Sequence, residues 1–510
     1  MKLIASALII TIATAAQLVA SQVQPSQPFP LSRVTHIDSH RNFIDEHGRT
    51  MFFRGLNVVV KKSPYAPSLD HFDPFDSFTE EDAKLLSDLN VNVIRLGALW
   101  AGIEPVRGQY NETLLGQLKS ITTLAQKYGI YVLLEAHQDL MSERFCGNGL
   151  PDWAFPTDLN IKSNFPSPIG TAFKNYDSRG YPTEEECATL GNNWPLYSFT
   201  TAINNAWDAF FKNETGIRDA FSTLWTKLAQ EFKEYPNLLG YEILNVILPG
   251  VADYKKFYAL WSEVANSIRS VDGKHLVFFE GFFPLSPLPP FPLSAAVQDI
   301  FNAFPTVPGG KQYANTSVIS YHWYPIPQGP NIGPVQVTMA ARKFDANRLG
   351  SGYMLTEFQF WWTGNLHDIA GYLKVIQQAD EYQQSIIGWK YKKYGTANLG
   401  DFGSLYDNQG IYHKEYEKLL GRTFASAVQG VPNKIHFDDA TAIFTLQYTA
   451  DSLIQAPTEI RIAPAVFYPQ GYSVDVSPAG AAQYYAASVG VINVWAASGF
   501  SSITIKVHPK

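Results

Sequence analysis

The chain has 510 residues, too many for one ordinary domain and enough for a barrel of about 250 to 400 residues with a smaller module beside it. Its 46% hydrophobic and 17% charged residues exclude long disorder, and a net charge of −7 argues against a nucleic-acid binder, which needs a basic face. Residues Met1 to about Ala20 read as a secretory leader: Lys2, an apolar run from Leu3 to about Ala16, then small residues near Ala20 and Ser21. That run is short for a membrane anchor, and no other segment is long and apolar enough for a transmembrane helix. Acceptor triplets for N-glycosylation begin at Asn111, Asn213 and Asn315, which fits a secreted route. Two cysteines, Cys146 and Cys187, favour one disulfide in an oxidising compartment.

Eight apolar strand-like runs follow the leader: Met51–Val58, Asn92–Leu99, Ile130–Ala136, Leu239–Asn245, His275–Glu280, Ser317–Tyr324, Tyr353–Phe358 and Ser385–Tyr391. Amphipathic stretches such as Glu80–Leu89, Leu114–Tyr128, Ile217–Tyr235 and Asp368–Ala379 lie between several of them. This alternation predicts an α/β (β/α)₈ TIM barrel over residues 30–424. An open doubly wound sheet is disfavoured because no glycine-rich phosphate turn follows the first strand. From about Phe424 the pattern changes to short β-rich runs, Thr458–Ala463, Ser473–Val476, Val489–Ala496 and Ser501–Val507, which predict a β-sandwich over residues 425–510.

In a TIM barrel the groups just past each strand form the active face. Those ends carry Arg95, His137, Asp139, Asn245, His322, Tyr324, Glu357 and Trp389. So many polar strand ends converging on one face suit retaining glycoside hydrolysis, in which one carboxylate attacks the anomeric carbon and a second, about 5 Å away, protonates the leaving oxygen. Glu357 is the expected nucleophile, its charge stabilised by Arg95 and the Tyr324 hydroxyl. Asn245 would hold the sugar 2-hydroxyl, and Trp389 would form the floor under the ring.

The chain resembles glycoside hydrolase family 5, and within it the endoglycoceramidases, which cut the bond between oligosaccharide and ceramide in glycosphingolipids. The resemblance covers nearly all of the mature chain. It rests on Phe53-Arg54-Gly55-Leu56-Asn57-Val58-Val59 with Lys61, on Asn92-Val93-Ile94-Arg95-Leu96-Gly97, and on Leu355-Thr356-Glu357-Phe358. The stretch from His137-Gln138-Asp139 through Phe145-Cys146-Gly147 to Pro151-Asp152-Trp153-Ala154 is the most specific, and Arg422-Thr423-Phe424 matches the hinge into the C-terminal domain. It implies a sugar subsite lined by Lys61, His137, Asp139, Asn245, Tyr324 and Trp389, with no metal and no organic cofactor. The implied partner is a glycosphingolipid or its oligosaccharide, met outside the cell or in an endolysosomal or digestive compartment. An apolar loop, Phe282–Leu285 and Leu288–Leu293, is a candidate for transient contact with a lipid surface.

The fourth strand departs from the pattern. The family places Glu-Pro-Trp directly after the asparagine, and that Glu is the acid/base; here Val246 follows Asn245, and Leu248–Asp253 arrives almost at once. A short deletion accounts for both features. Three readings follow: the product of an altered transcript of an active gene, a glycolipid-binding protein without turnover, or transfer of the acid role to another carboxyl such as Glu280 or Asp253. A family 5 β-glucanase is the other enzyme reading, and the His137–Ala154 stretch with the β-sandwich argues against it.

Overall fold

The computed structural model describes residues 29–155, 165–245, 247, 254–281, 304–324, 335–358, 369–395, 404–488 and 490–510. The expected leader, Val246, Asp253 and residues 282–293 lie outside the described residues. Three short strands come first, β1 (Val34–Ile37), β2 (Phe43–Asp45) and β3 (Thr50–Met51). The barrel follows: β4 (Arg54–Val58), β5 (Val93–Gly97), β6 (Tyr131–Glu135), β7 (Leu238–Glu242), β8 (Leu276–Glu280), β9 (Ser317–Trp323), β10 (Gly352–Phe358) and β11 (Ile386–Gly388). These eight close in the order β10-β11-β4-β5-β6-β7-β8-β9, and every neighbouring pair is parallel. The TIM barrel expected from the alternation of runs is therefore the observed fold.

The crossover helices form where apolar residues recur on one face. In Glu112–Lys127 the buried set Leu114, Leu115, Leu118, Ile121, Thr122 and Ala125 makes one stripe against the barrel, and the Asn111 side chain caps the first turn by accepting from the Leu114 amide. Glu80–Asp88 begins with the Asp82 carboxylate accepting the Thr79 amide at 2.6 Å.

The second unit contains β12 (Phe424–Val428), β13 (Gly430–Asp438), β14 (Ile443–Ala450), β15 (Thr458–Arg461), β16 (Tyr472–Ser477), β17 (Ala482–Ser488), β18 (Val491–Ala496) and β19 (Ser502–Pro509), with a four-residue helix at Pro464–Phe467. A four-stranded sheet, β13-β14-β19-β16, faces a seven-stranded one, β1-β2-β3-β12-β15-β18-β17. Phe437, Phe444, Leu446, Ile492, Val494, Ile503 and Ile505 pack in the core between them. The expected division at 424/425 cuts this arrangement, because β1–β3 belong to the seven-stranded sheet: Met51 pairs with Ala427 and Thr50 with Val428. The same N-terminal strands cover the base of the barrel, where Phe43 meets Phe53 and Phe278 at ring distances of 5.5 and 6.3 Å. Buried Arg422 locks the two units, donating to Asp380 and Asp439 at 2.8 Å each.

Candidate active site

Side chains in a strand alternate between the two faces, so each barrel strand sends every second residue inward. The inward columns end at the mouth in Asn57, Arg95, Glu135, Glu242, Glu280, His322 and Thr356, all nearly inaccessible to solvent. Glu357 joins them although it directly follows Thr356. The β10–β9 register shifts between Leu355 and Glu357, and this bulge turns two consecutive side chains into the barrel. Thr356 Oγ1 thus reaches Glu242 at 3.1 Å, while Glu357 reaches Arg95.

Arg95 is the hub. Its Nη1 donates to Glu357 Oε1 at 2.6 Å and to Asn57 Oδ1 at 3.0 Å, and lies 3.1 Å from Glu135 Oε1. Its Nη2 donates to Asn245 Oδ1 at 2.9 Å, and its Nε donates to Glu242. Burial works against the guanidinium charge, but the carboxylates of Glu135, Glu242 and Glu357 outweigh it and push the Arg95 pKa up. The other oxygen of Glu357, Oε2, accepts from the Tyr324 hydroxyl at 2.7 Å. Burial, then the Glu357 charge, drives the tyrosine pKa well above its ordinary value, so the hydroxyl remains a donor.

The sugar-facing candidates form a second chain. Glu135 bonds His137 Nδ1, His137 Nε2 lies 3.3 Å from Asp139 Oδ2, and Asp139 accepts from Lys61 at 2.6 Å and Asn148 at 2.9 Å. Burial alone would lower the His137 pKa; Glu135 and Asp139 overcome it and raise it. Burial alone would raise the Asp139 pKa; Lys61 and His137 hold it well below the usual carboxylate range. Trp389, expected as a sugar floor, is 8% exposed, with His137 stacked on it at 5.5 Å and Lys61 Nζ 4.6 Å from its ring centre. A sugar seated there would displace the ammonium or lie along the remaining edge. Asn245 is anchored through Nδ2 to the Gln138 carbonyl at 2.9 Å.

Every strand-tip residue singled out from the sequence therefore stands in one cluster. Asn57, Glu135, Gln138 and Asn148 belong to it too and carry no assignment from the sequence, although Glu135 lies two positions beyond inward Leu133, a period-2 signal that could have found it. Cys146 and Cys187 are joined with their Cα atoms 5.3 Å apart, beside a cavity of about 380 Å³ that adjoins Lys61 and Asn148. Gly147 is required there, since a Cβ would fall 1.9 Å from the Asp139 carbonyl. The acceptor asparagines lie at the surface, with Asn315 exposed and Asn111 and Asn213 partly so. Asn213 donates to Asp219 Oδ2 at 2.9 Å.

By distance alone two buried sets, Glu135–His137–Glu357 and Glu242–Glu280–His322, could hold a metal ion. Arg95 pairs with Glu135, Glu242 and Glu357, so one guanidinium already offsets part of the negative charge there. Among the described residues no helix is long and apolar enough to cross a membrane.

Residues 45–395 match the family described as cellulase (glycosyl hydrolase family 5), and residues 422–507 match the glycoside hydrolase family 5 C-terminal domain. The chain is 36% identical over 453 residues to an endoglycoceramidase of Hydra vulgaris, covering 85% of this chain and 81% of that protein. It is also 36% identical over 455 residues to an endoglycoceramidase of Cyanea nozakii, covering 86% of each. Among solved structures, endo-glycoceramidase II from a Rhodococcus species superposes with a TM-score of 0.69 at 21% identity, covering 95% of this chain and 100% of that one.

Proposed function

The chain belongs to glycoside hydrolase family 5, among its endoglycoceramidase-like members, and from that premise we propose that it is a retaining glycosidase directed at glycosphingolipids whose nucleophile half is complete and whose acid half is impaired. One observation carries the reading. Both oxygens of Glu357 are held, one by Arg95 and one by Tyr324, while the position after Asn245 that should bring the acid/base is Val246. Glu357 attacks the anomeric carbon, Arg95 and Tyr324 steer its charge, and Asn245, itself fixed by Arg95 and Gln138, faces the sugar 2-hydroxyl. Lys61, His137, Asp139 and Trp389 bind the sugar beside the cut. The Hydra vulgaris and Cyanea nozakii relatives, named endoglycoceramidases, favour a glycolipid over a glucan. The leader-like run and the cysteine pair support a route through an oxidising compartment.

Without an acid, a leaving group as basic as the primary hydroxyl of ceramide departs slowly, because general-acid help is worth about 10²- to 10⁴-fold. An aryl glycoside with an acidic phenol needs no such help. Turnover of both by this chain and by an intact relative tests the proposal. The expected result is a natural-substrate rate lower by that factor while the aryl glycoside releases its phenol in the first turnover at a comparable rate. Equal rates on the natural glycolipid would refute it. Binding of glycolipid without any turnover would favour the reading as a binding protein.

A further inference from the structure

Glu280, at the tip of β8, is the one carboxyl of the inner mouth without a bond to Arg95 among the described contacts. It is 3% exposed, its Oε2 is buried without a hydrogen-bond partner, and its Oε1 lies 3.6 Å from His322 Nε2. His322 stands on the next strand with neither ring nitrogen hydrogen-bonded, and its Nδ1 lies 3.4 Å from Glu357 Oε2. The register places the three in a row across adjacent strands: Glu280 pairs with Ser320 between β8 and β9, and His322 with Glu357 between β9 and β10.

The charged groups facing Glu280 are Glu242 on β7, Arg95 on β5, Glu357 on β10 and Glu135 on β6. Arg342, paired with Asp345 on the helix Val335–Leu349, approaches the neighbouring Gly281 from outside. Arg95, Glu242, His137 and Asp139 face His322. Burial, reinforced by Glu242, drives the Glu280 carboxyl pKa well above the ordinary value; burial, reinforced by Arg95, drives the His322 pKa well below its own. Both shifts favour the neutral form, in which each group carries one proton. A Glu280 proton directed at Nε2 leaves the imidazole proton on Nδ1, aimed at Glu357. The opposite tautomer would set an Nδ1 lone pair against a carboxylate oxygen.

Resting on the reading of Glu357 as nucleophile, we infer that Glu280 is a positioning residue: with the 3.6 Å gap closed by a small side-chain shift, its protonated carboxyl hydrogen-bonds His322 Nε2, fixes the Nδ1–H tautomer, and so gives Glu357 Oε2 a second donor beside Tyr324. Glu280 acts only through His322 in this role. Ionised Glu280 would take the Nε2–H instead and withdraw the donor from the nucleophile. The alkaline limb of glycosylation, which usually belongs to the general acid, then belongs to Glu280 when the substrate is an aryl glycoside that needs no acid.

Two readouts test this on the full chain. The first is ¹⁵N NMR of protein labelled at histidine, with His322 assigned by its loss in His322→Asn. The expected spectrum shows Nδ1 protonated at neutral pH in the wild type and in Glu280→Gln, whose amide still donates, and a changed tautomer in Glu280→Leu. An Nε2-protonated His322 in the wild type overturns the inference, and this holds whether or not the protein turns over any substrate. The second is the pH profile of aryl-glycoside kcat/KM. Glu280→Gln should retain the wild-type optimum within about threefold and lose the alkaline limb, while Glu280→Leu should fall about tenfold, the scale of one hydrogen bond to a charged group. An alkaline limb unchanged in Glu280→Gln overturns it as well.

Discussion

The interior of the barrel has two halves built on the same strands. At the base the inward columns read Val93, Leu133, Phe278, Val318 and Met354, a dry apolar plug sealed by the N-terminal strands. Two positions further along the same strands they read Arg95, Glu135, Glu280, Ser320 and Thr356, all buried. The geometry is identical and only the chemistry changes. The base gains stability from burial alone. The mouth places several carboxyl groups out of water, and it is tolerable because one guanidinium pairs with three of them while burial and like charges favour the protonated form of Glu280. Function therefore sits where the fold carries its largest electrostatic burden.

Removing the proposed nucleophile tests the mouth most severely: Glu357→Gln should cost at least about 10⁴-fold in aryl-glycoside turnover, on the scale of losing an enzymic nucleophile. Oligosaccharide binding, followed by calorimetry, should survive. Arg95→Leu should destabilise the chain by about 3–5 kcal/mol in denaturant melts, because it strands buried carboxylates rather than merely losing a contact. Leu133→Ala, two positions below Glu135, should cost about 2–5 kcal/mol through its cavity while leaving the sugar affinity of the folded fraction unchanged. A sugar-binding defect in that variant would break the division between base and mouth.

The smallest effect is also the most diagnostic. A carboxyl whose pKa is raised on folding contributes stability that is fully present below its unfolded value of about 4.3 and is lost as pH rises toward the folded value. Glu280→Gln should therefore raise the melting temperature at neutral pH, and the gain should vanish near pH 4. A gain independent of pH would show that packing, not ionisation, was relieved.

Much of this division was legible beforehand, because the runs that make a parallel barrel are near-continuous apolar segments and their polar ends stand out. Three features were not. The bulge before Glu357 has no glycine or proline to mark it, so the joint inward turn of Thr356 and Glu357 is a product of strand pairing. Strands β1–β3 are too short to show a period, and their placement depends on β12, nearly 400 residues away. Gly430–Asp438 alternates buried and exposed positions with Pro432, Asn433 and Lys434 inside it, and none of the β-rich runs read from the sequence covers it. Asn57 and Glu135 carried no assigned role for another reason: both face Arg95, a contact made only once the strands are closed into a ring.

The most direct test of an intact nucleophile without its acid is intact-protein mass spectrometry during reaction with an aryl glycoside bearing an acidic leaving group. One carboxyl serves as acid in the first step and base in the second, so its loss also slows release of the glycosyl-enzyme. The expected result is an accumulating adduct of one glycosyl unit, mapped to the peptide containing Glu357 and absent in Glu357→Gln. No adduct, or one on another residue, would contradict the account.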